Sequence, residues 1–98
     1  MIIRIVKMTF KPEYINDFKA IFEASKEKIK SQKGCNYLSL LQDKNNTSVF
    51  FTYSYWDNET CLNHYRNSDL FGQVWPKTKA LFAQKPEAWT VEQHHELK

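Results

Sequence analysis

Tyr53-Ser54-Tyr55-Trp56-Asp57-Asn58-Glu59-Thr60-Cys61-Leu62-Asn63-His64-Tyr65-Arg66-Asn67-Ser68-Asp69-Leu70-Phe71 is the stretch whose reading decides the fold. Its first four residues close an aromatic strand, in which alternate side chains point to opposite faces. Asp57 or Asn58 supplies a side-chain oxygen that can cap a helix. Cys61, Leu62 and Tyr65 give that helix one apolar side. Ser68 is a second cap signal, and Asp69 behind it suits the positive end of a helix dipole. Leu70, Phe71, Val74, Trp75, Thr78, Leu81 and Phe82 continue at helical spacing. The second helical region is therefore predicted in two pieces. Pro76 falls inside the pattern and predicts a kink or a restart, because proline has no N–H and its ring crowds the preceding turn. Lys85-Pro86 ends the helical region.

Upstream, Ser48 to Trp56 alternates as a strand, with Val49, Phe51, Tyr53 and Tyr55 on one face and Phe50, Thr52, Ser54 and Trp56 on the other. Cys35 to Gln42 alternates likewise. Asp43-Lys44-Asn45-Asn46 between them is turn chemistry, so the two strands form a hairpin. Before the hairpin, Lys11-Pro12-Glu13 opens a helix, with proline suited to its first turn. Tyr14, Ile15, Phe18, Ile21, Phe22, Ser25 and Ile29 form its apolar stripe, and Gly34 is the stop signal. Ile2 to Phe10 is the first strand. Ile2, Arg4, Val6, Met8 and Phe10 share the face assigned to the helices; Ile3, Ile5, Lys7 and Thr9 share the other. Downstream, Ala88 to Gln93 is a short last strand. The order β-α-β-β-α-β predicts an α+β, ferredoxin-like fold with a broken second helix.

Ninety-eight residues predict one domain, spanning 1–98. The net charge of +3 and the scattered lysines leave no basic stripe, so nucleic acid is not an expected partner. Cys35 and Cys61 have no metal-site or disulfide spacing, and buried thiols explain both. No apolar window reaches membrane-spanning length, and Arg4 and Lys7 interrupt the first apolar run. A soluble, cytoplasmic protein without membrane association is expected. Aromatic residues make up 15% of the chain, more than so small a core readily hides. Strands apolar on both faces point the same way, and a homodimer is the expected outlet.

With these elements in place, the chain resembles the antibiotic biosynthesis monooxygenase domain. The resemblance covers nearly the whole chain. It rests on the element order, the Lys11-Pro12-Glu13 helix start with Phe18 and Phe22 behind it, and Gly34. Trp56 at the end of the third strand carries most of it, with His64 and Ser68-Asp69-Leu70-Phe71 beyond. The family implies a dimeric α+β barrel in which two sheets face each other with helices outside. It includes oxygenases that act on aromatic polyketides without metal, flavin or haem, quinol-modifying enzymes, an isomerase of a signalling molecule, and haem-degrading enzymes. The haem-degrading branch relies on an Asn, a Trp and a His. Those places fall here on Val6, Tyr65 and Trp75, and an indole nitrogen is a donor that cannot ligate iron.

The expected site lies between the even-numbered face of the first strand and the broken second helix. Val6, Met8 and Phe10 would form its floor and Tyr65, Phe71 and Trp75 its wall, with His64 or Arg4 at its polar end. His64 matches the family's His and could act as general base towards a phenol; a half-buried helix residue bonded to a backbone carbonyl is the plainer reading. Arg4, on an apolar face, needs an acidic partner or an anionic ligand. Arg66 reads as solvated, and His94 and His95 as tail residues. The expected activity is monooxygenation of a small phenolic, quinol or polycyclic aromatic substrate by molecular oxygen, with no cofactor and no metal. The alternatives are a non-catalytic dimeric binder of a small molecule, and a non-oxidative isomerase on the same scaffold.

Overall fold

A computed structural model describes residues 1–97. The elements are β1 (Ile2–Thr9), α1 (Ile15–Lys30), β2 (Cys35–Gln42), β3 (Val49–Trp56), α2 (Glu59–Arg66), α3 (Asp69–Lys79) and β4 (Glu87–Glu92). The strands form one antiparallel sheet in the order β2-β3-β1-β4, the arrangement expected of a ferredoxin-like fold. β1 is central: Arg4 lies opposite Ser54 on one side and Thr90 on the other. β4 is an edge strand whose residues are all exposed.

Helices cover one face only. Met8, Phe10, Phe18 and Phe50 form the main buried cluster, with Val6, Phe22, Leu40, Trp75 and Phe82 packed against it. Phe10 is fully buried, stacked on Phe18 at 4.1 Å and edge-on to Phe50 at 5.8 Å. Val6, Met8 and Phe10 come from the even-numbered side of the first strand and Phe18 and Phe22 from the apolar stripe of α1, as the alternation and the three-and-four spacing require; the hairpin and the α3 region supply the rest. A second cluster joins Cys35, Trp56 and Leu62, with Cys61 and Tyr65 packed against it.

The other face of the sheet stays open. Ile5 pairs with Tyr53 and Trp89 there, and Tyr37, Leu41, Trp89 and Val91 are 44%, 46%, 43% and 39% exposed. Tyr37, Tyr53 and Tyr55 pack against one another with centroids 4.9 to 6.2 Å apart. Among the described residues no helix is long and apolar enough to cross a membrane.

Four details depart from the sequence expectation. Pro12–Tyr14 forms a 3-10 turn, and the α-helix proper begins at Ile15. α1 ends at Lys30, and Gly34 acts one turn later, with φ of +84° leading into β2. A Cβ there would sit 2.6 Å from the Cβ and Sγ of Cys61, so only glycine fits. α3 runs unbroken through Pro76 rather than restarting. The residue four before it, Gly72, is exposed, so the carbonyl that loses its helical donor is open to water. The helix ends at Lys79, short of Phe82, because the first strand captures the backbone beyond it. Ala83 N–H donates to the carbonyl of Thr9 at 2.8 Å, and Lys11 N–H donates to that of Leu81 at 3.1 Å.

Candidate functional site

The two caps set the site. Asn58 accepts from the N–H of Cys61 at 2.9 Å and starts α2. Ser68 accepts from the N–H of Phe71 at 3.2 Å, starting α3, while its hydroxyl donates to the carbonyl of Tyr65 at 2.6 Å. One serine thus fixes the end of α2 against the start of α3. Tyr65 and Phe71, on either side of it, meet edge to face at 5.3 Å. Trp56 stacks on Tyr65 at 5.2 Å, and Phe71 stacks on Trp75 at 5.7 Å. Four rings therefore run in continuous contact from the end of β3 along both helix pieces.

Beneath them is a cavity of about 230 Å³ between the sheet and the helices. Arg4, Val6 and Met8 of β1 and Thr52, Ser54 and Trp56 of β3 line its sheet side. Tyr65, Arg66, Phe71, Val74 and Trp75 line it from α2 and α3, and Phe18, Ile21 and Phe22 from α1. Most of its hydroxyls are already engaged. Ser54 accepts from Trp56 Nε1 at 3.0 Å, Thr78 donates to the carbonyl of Val74 at 2.9 Å, and Ser25 donates to that of Ile21 at 2.8 Å. Among the described residues no carboxylate, lysine or histidine lines the cavity. Its remaining polar chemistry rests on Arg4, Arg66 and the hydroxyls of Tyr65 and Thr52. Among the described residues no group of His, Cys, Asp or Glu is placed to hold a metal ion.

Burial, with a smaller contribution from Cys35, pushes the Tyr65 phenol up to about 12. It therefore stays neutral at physiological pH and offers a hydrogen bond rather than a base. The folded state holds this proton more tightly than the unfolded chain does. Its contribution to stability is complete below the unfolded value of 10.0 and is lost as pH rises towards about 12. We expect wild-type protein to lose about 2–3 kcal/mol across that window relative to Tyr65→Phe, which keeps the ring stack. Parallel urea titrations at pH 9 and pH 11, between which about half of that loss should develop, check this; a gap independent of pH contradicts it. Arg4 is lowered by burial and then by the charge of Arg66.

Of the residues expected at the site, Arg4, Val6, Met8, Tyr65, Phe71 and Trp75 all line the cavity. Phe10 does not: it is sealed in the core. His64 is exposed on α2 and is not brought to the cavity. Arg4 has no acidic partner among the described residues; its Nη1 donates to Thr90 Oγ1 at 2.9 Å. Arg66, read from sequence as solvated, lines the cavity although exposed. Its inward placement was legible. Leu62 is buried, and Arg66, four residues on, shares its face, whereas His64, two residues on, points the other way. The wall contributed by α1 had no comparable signal, because a helix stripe does not say where its packing on the sheet leaves a gap.

An antiparallel four-stranded sheet with helices on one face and an aromatic cavity between them defines a ferredoxin-like α+β protein. The chain belongs to the antibiotic biosynthesis monooxygenase family, whose model matches residues 1–75. Solved structures agree on the fold. An antibiotic biosynthesis monooxygenase superposes with a TM-score of 0.89 at 19% identity, covering 95% of this chain and 98% of its own. A conserved protein from Methanosarcina mazei Go1 gives 0.89 at 22% identity, covering 95% and 93%. Rv0793 from Mycobacterium tuberculosis gives 0.90 at 12% identity, covering 99% and 98%. No curated protein matches the chain.

Proposed function

We propose that the chain is a monooxygenase of a small phenolic or quinol substrate and that it works as a homodimer. The observation that carries this reading is the cavity walled by Tyr65, Phe71 and Trp75 in a chain of the monooxygenase family. Stacked and edge-on rings favour a planar guest. The open, aromatic sheet face supports the dimer, since a second copy would cover it.

The chemistry asks little of the protein. The substrate phenol gives up its proton to solvent water, and the anion passes one electron to oxygen; water returns a proton once the peroxide has formed. The resulting radical pair closes a carbon–oxygen bond, forming a hydroperoxide at a ring carbon. Loss of water from that hydroperoxide leaves a carbonyl. One oxygen atom stays on the substrate, the other leaves as water, and the substrate supplies all four electrons that reduce the dioxygen. Because the described cavity wall holds no carboxylate, lysine or histidine, the substrate's acidity is raised electrostatically. Arg4 and Arg66 stabilise its anion, and Tyr65 donates a hydrogen bond to it. In this reading His64 is not the base.

Oxygen uptake with 1-naphthol and a panel of quinols tests the proposal. Turnover is expected with water as co-product, a loss of at least about tenfold in Trp75→Ala, and a change within about twofold in His64→Ala. A collapse in His64→Ala restores the base assignment that the family resemblance suggested. Binding without oxygen uptake favours the non-catalytic binder, and oxygen-independent turnover favours an isomerase.

A further inference from the structure

The chain has two arginines, and the fold brings both to one cavity from separate elements, Arg4 from β1 and Arg66 from the end of α2. Arg4 is half-buried within; Arg66 is exposed at the rim. Neither has an acidic partner among the described residues: Arg4 makes one bond, to the neutral Thr90 hydroxyl, and Arg66 makes no hydrogen bond or ion pair. Two guanidinium groups near one another in a partly apolar cavity repel, and burial penalises the inner one further. The charge of Arg66 acts on Arg4 in this way, adding to the effect of burial. Nothing in the described wall offsets the arrangement. Guanidinium groups present planar donor forks that match carboxylate or phosphate oxygens.

Size narrows the guest. An engineered cavity of about 150 Å³ holds benzene. The volume here, about 230 Å³, suits one substituted ring or two fused rings rather than a larger polycycle.

We propose that the cavity selects a mono- or bicyclic aromatic ligand bearing an anionic oxygen group, with the anion held between Arg4 and Arg66 and the ring against Tyr65, Phe71 and Trp75. The proposal rests on the aromatic-substrate reading and narrows it to aromatic acids. It gives Arg66 a specificity role that its exposed position at a helix end hides. It also orients the guest: the charged end lies towards the arginines and the ring carbons lie under the aromatic wall.

Fluorescence titration with 1-hydroxy-2-naphthoate and with 1-naphthol separates the two layers of the argument. Wild type is expected to bind the naphthoate at least about tenfold more tightly than the naphthol, with the advantage shrinking as salt is raised. Arg4→Met and Arg66→Met should each reduce that ratio several-fold, because the naphthoate carries a full charge and naphthol binds as the neutral phenol. Arg66 is exposed and unbonded, so its variant folds even if Arg4→Met does not. Bound naphthoate should also raise the melting temperature of wild type more than that of Arg66→Met, because the anion relieves the repulsion. Equal affinity for the two ligands in wild type, or an advantage that survives Arg66→Met, overturns the anion site while the aromatic cavity stands. Failure of both ligands to bind overturns the anion site and the aromatic-substrate reading together.

Discussion

Trp56→Ala is expected to destabilise the protein by about 3–5 kcal/mol, the usual cost of deleting a large buried aromatic ring. Trp56 is 1% exposed. It closes β3, stacks on Tyr65 of α2, and satisfies its own indole N–H through Ser54. Truncation removes the ring, opens a void beneath α2, and leaves Tyr65 without its stacking partner. Domains of this size have roughly 5–15 kcal/mol in total, so the variant should stand near the edge of folding. Trp56→Phe is the informative control. It keeps much of the ring and loses the bond to Ser54, so its cost should be well under that of alanine. Urea unfolding at fixed protein concentration measures both. A loss under about 1 kcal/mol for Trp56→Ala would mean that α2 does not depend on this contact.

Ile5→Glu should separate the proposed dimer while leaving each chain folded. Ile5 lies mid-strand on the helix-free face, between Tyr53 and Trp89 in register. In a single chain a glutamate there stays beside solvent. In a dimer that joins the open faces, it would be buried among Tyr53, Trp89 and their neighbours, with Lys7 the cation on its own strand face. Taking a charge out of water costs several kcal/mol even beside a partner, so dimer affinity should fall at least about tenfold. Light scattering at micromolar concentration should give the mass of two chains for wild type and one for the variant, with matching circular dichroism. A wild-type monomer, or a variant that remains dimeric, removes this interface.

The features legible in the sequence are those that local chemistry governs. A strand's two faces are set by strict alternation, and alternation alone separates the even-numbered side of β1 from the odd. Asn58 and Ser68 announce two helices because capping is a short-range affair of one oxygen and one N–H. Pro76, expected to kink or restart the helix, does not restart it, because the damage a proline does depends on whether the stranded carbonyl can find water, and the exposure of Gly72 is a tertiary fact. The length of α3 misleads for a similar reason. Leu81 and Phe82 keep helical spacing, yet the end of β1 takes their backbone. The cavity itself lies between α1 and the pair α2 and α3, and a gap between three packed helices and a sheet is written in no single segment. Phe10 shows the same limit. It shares a face with Met8, but its place at the strand end puts it under Phe18 and Phe82 rather than at the void.

The sheet order has a consequence for how the chain comes to be folded. β1 is made before every other element, yet both its neighbours are distant in sequence: Ile2 waits for Trp56 on one side and for Glu92 on the other. Closing such long loops is what slows proteins with non-local pairing. The hairpin of β2 and β3 can form on its own terms, whereas β1 spends the interval as an unpaired apolar ribbon. In that interval Arg4 and Lys7 break its run of Ile2, Ile3, Ile5, Val6 and Met8, and such charges keep exposed strands from pairing with one another. Arg4, proposed above for ligand selection, would on this account also be a gatekeeper while the polypeptide is still being synthesised, and a variant lacking it would show that loss first as poor yield.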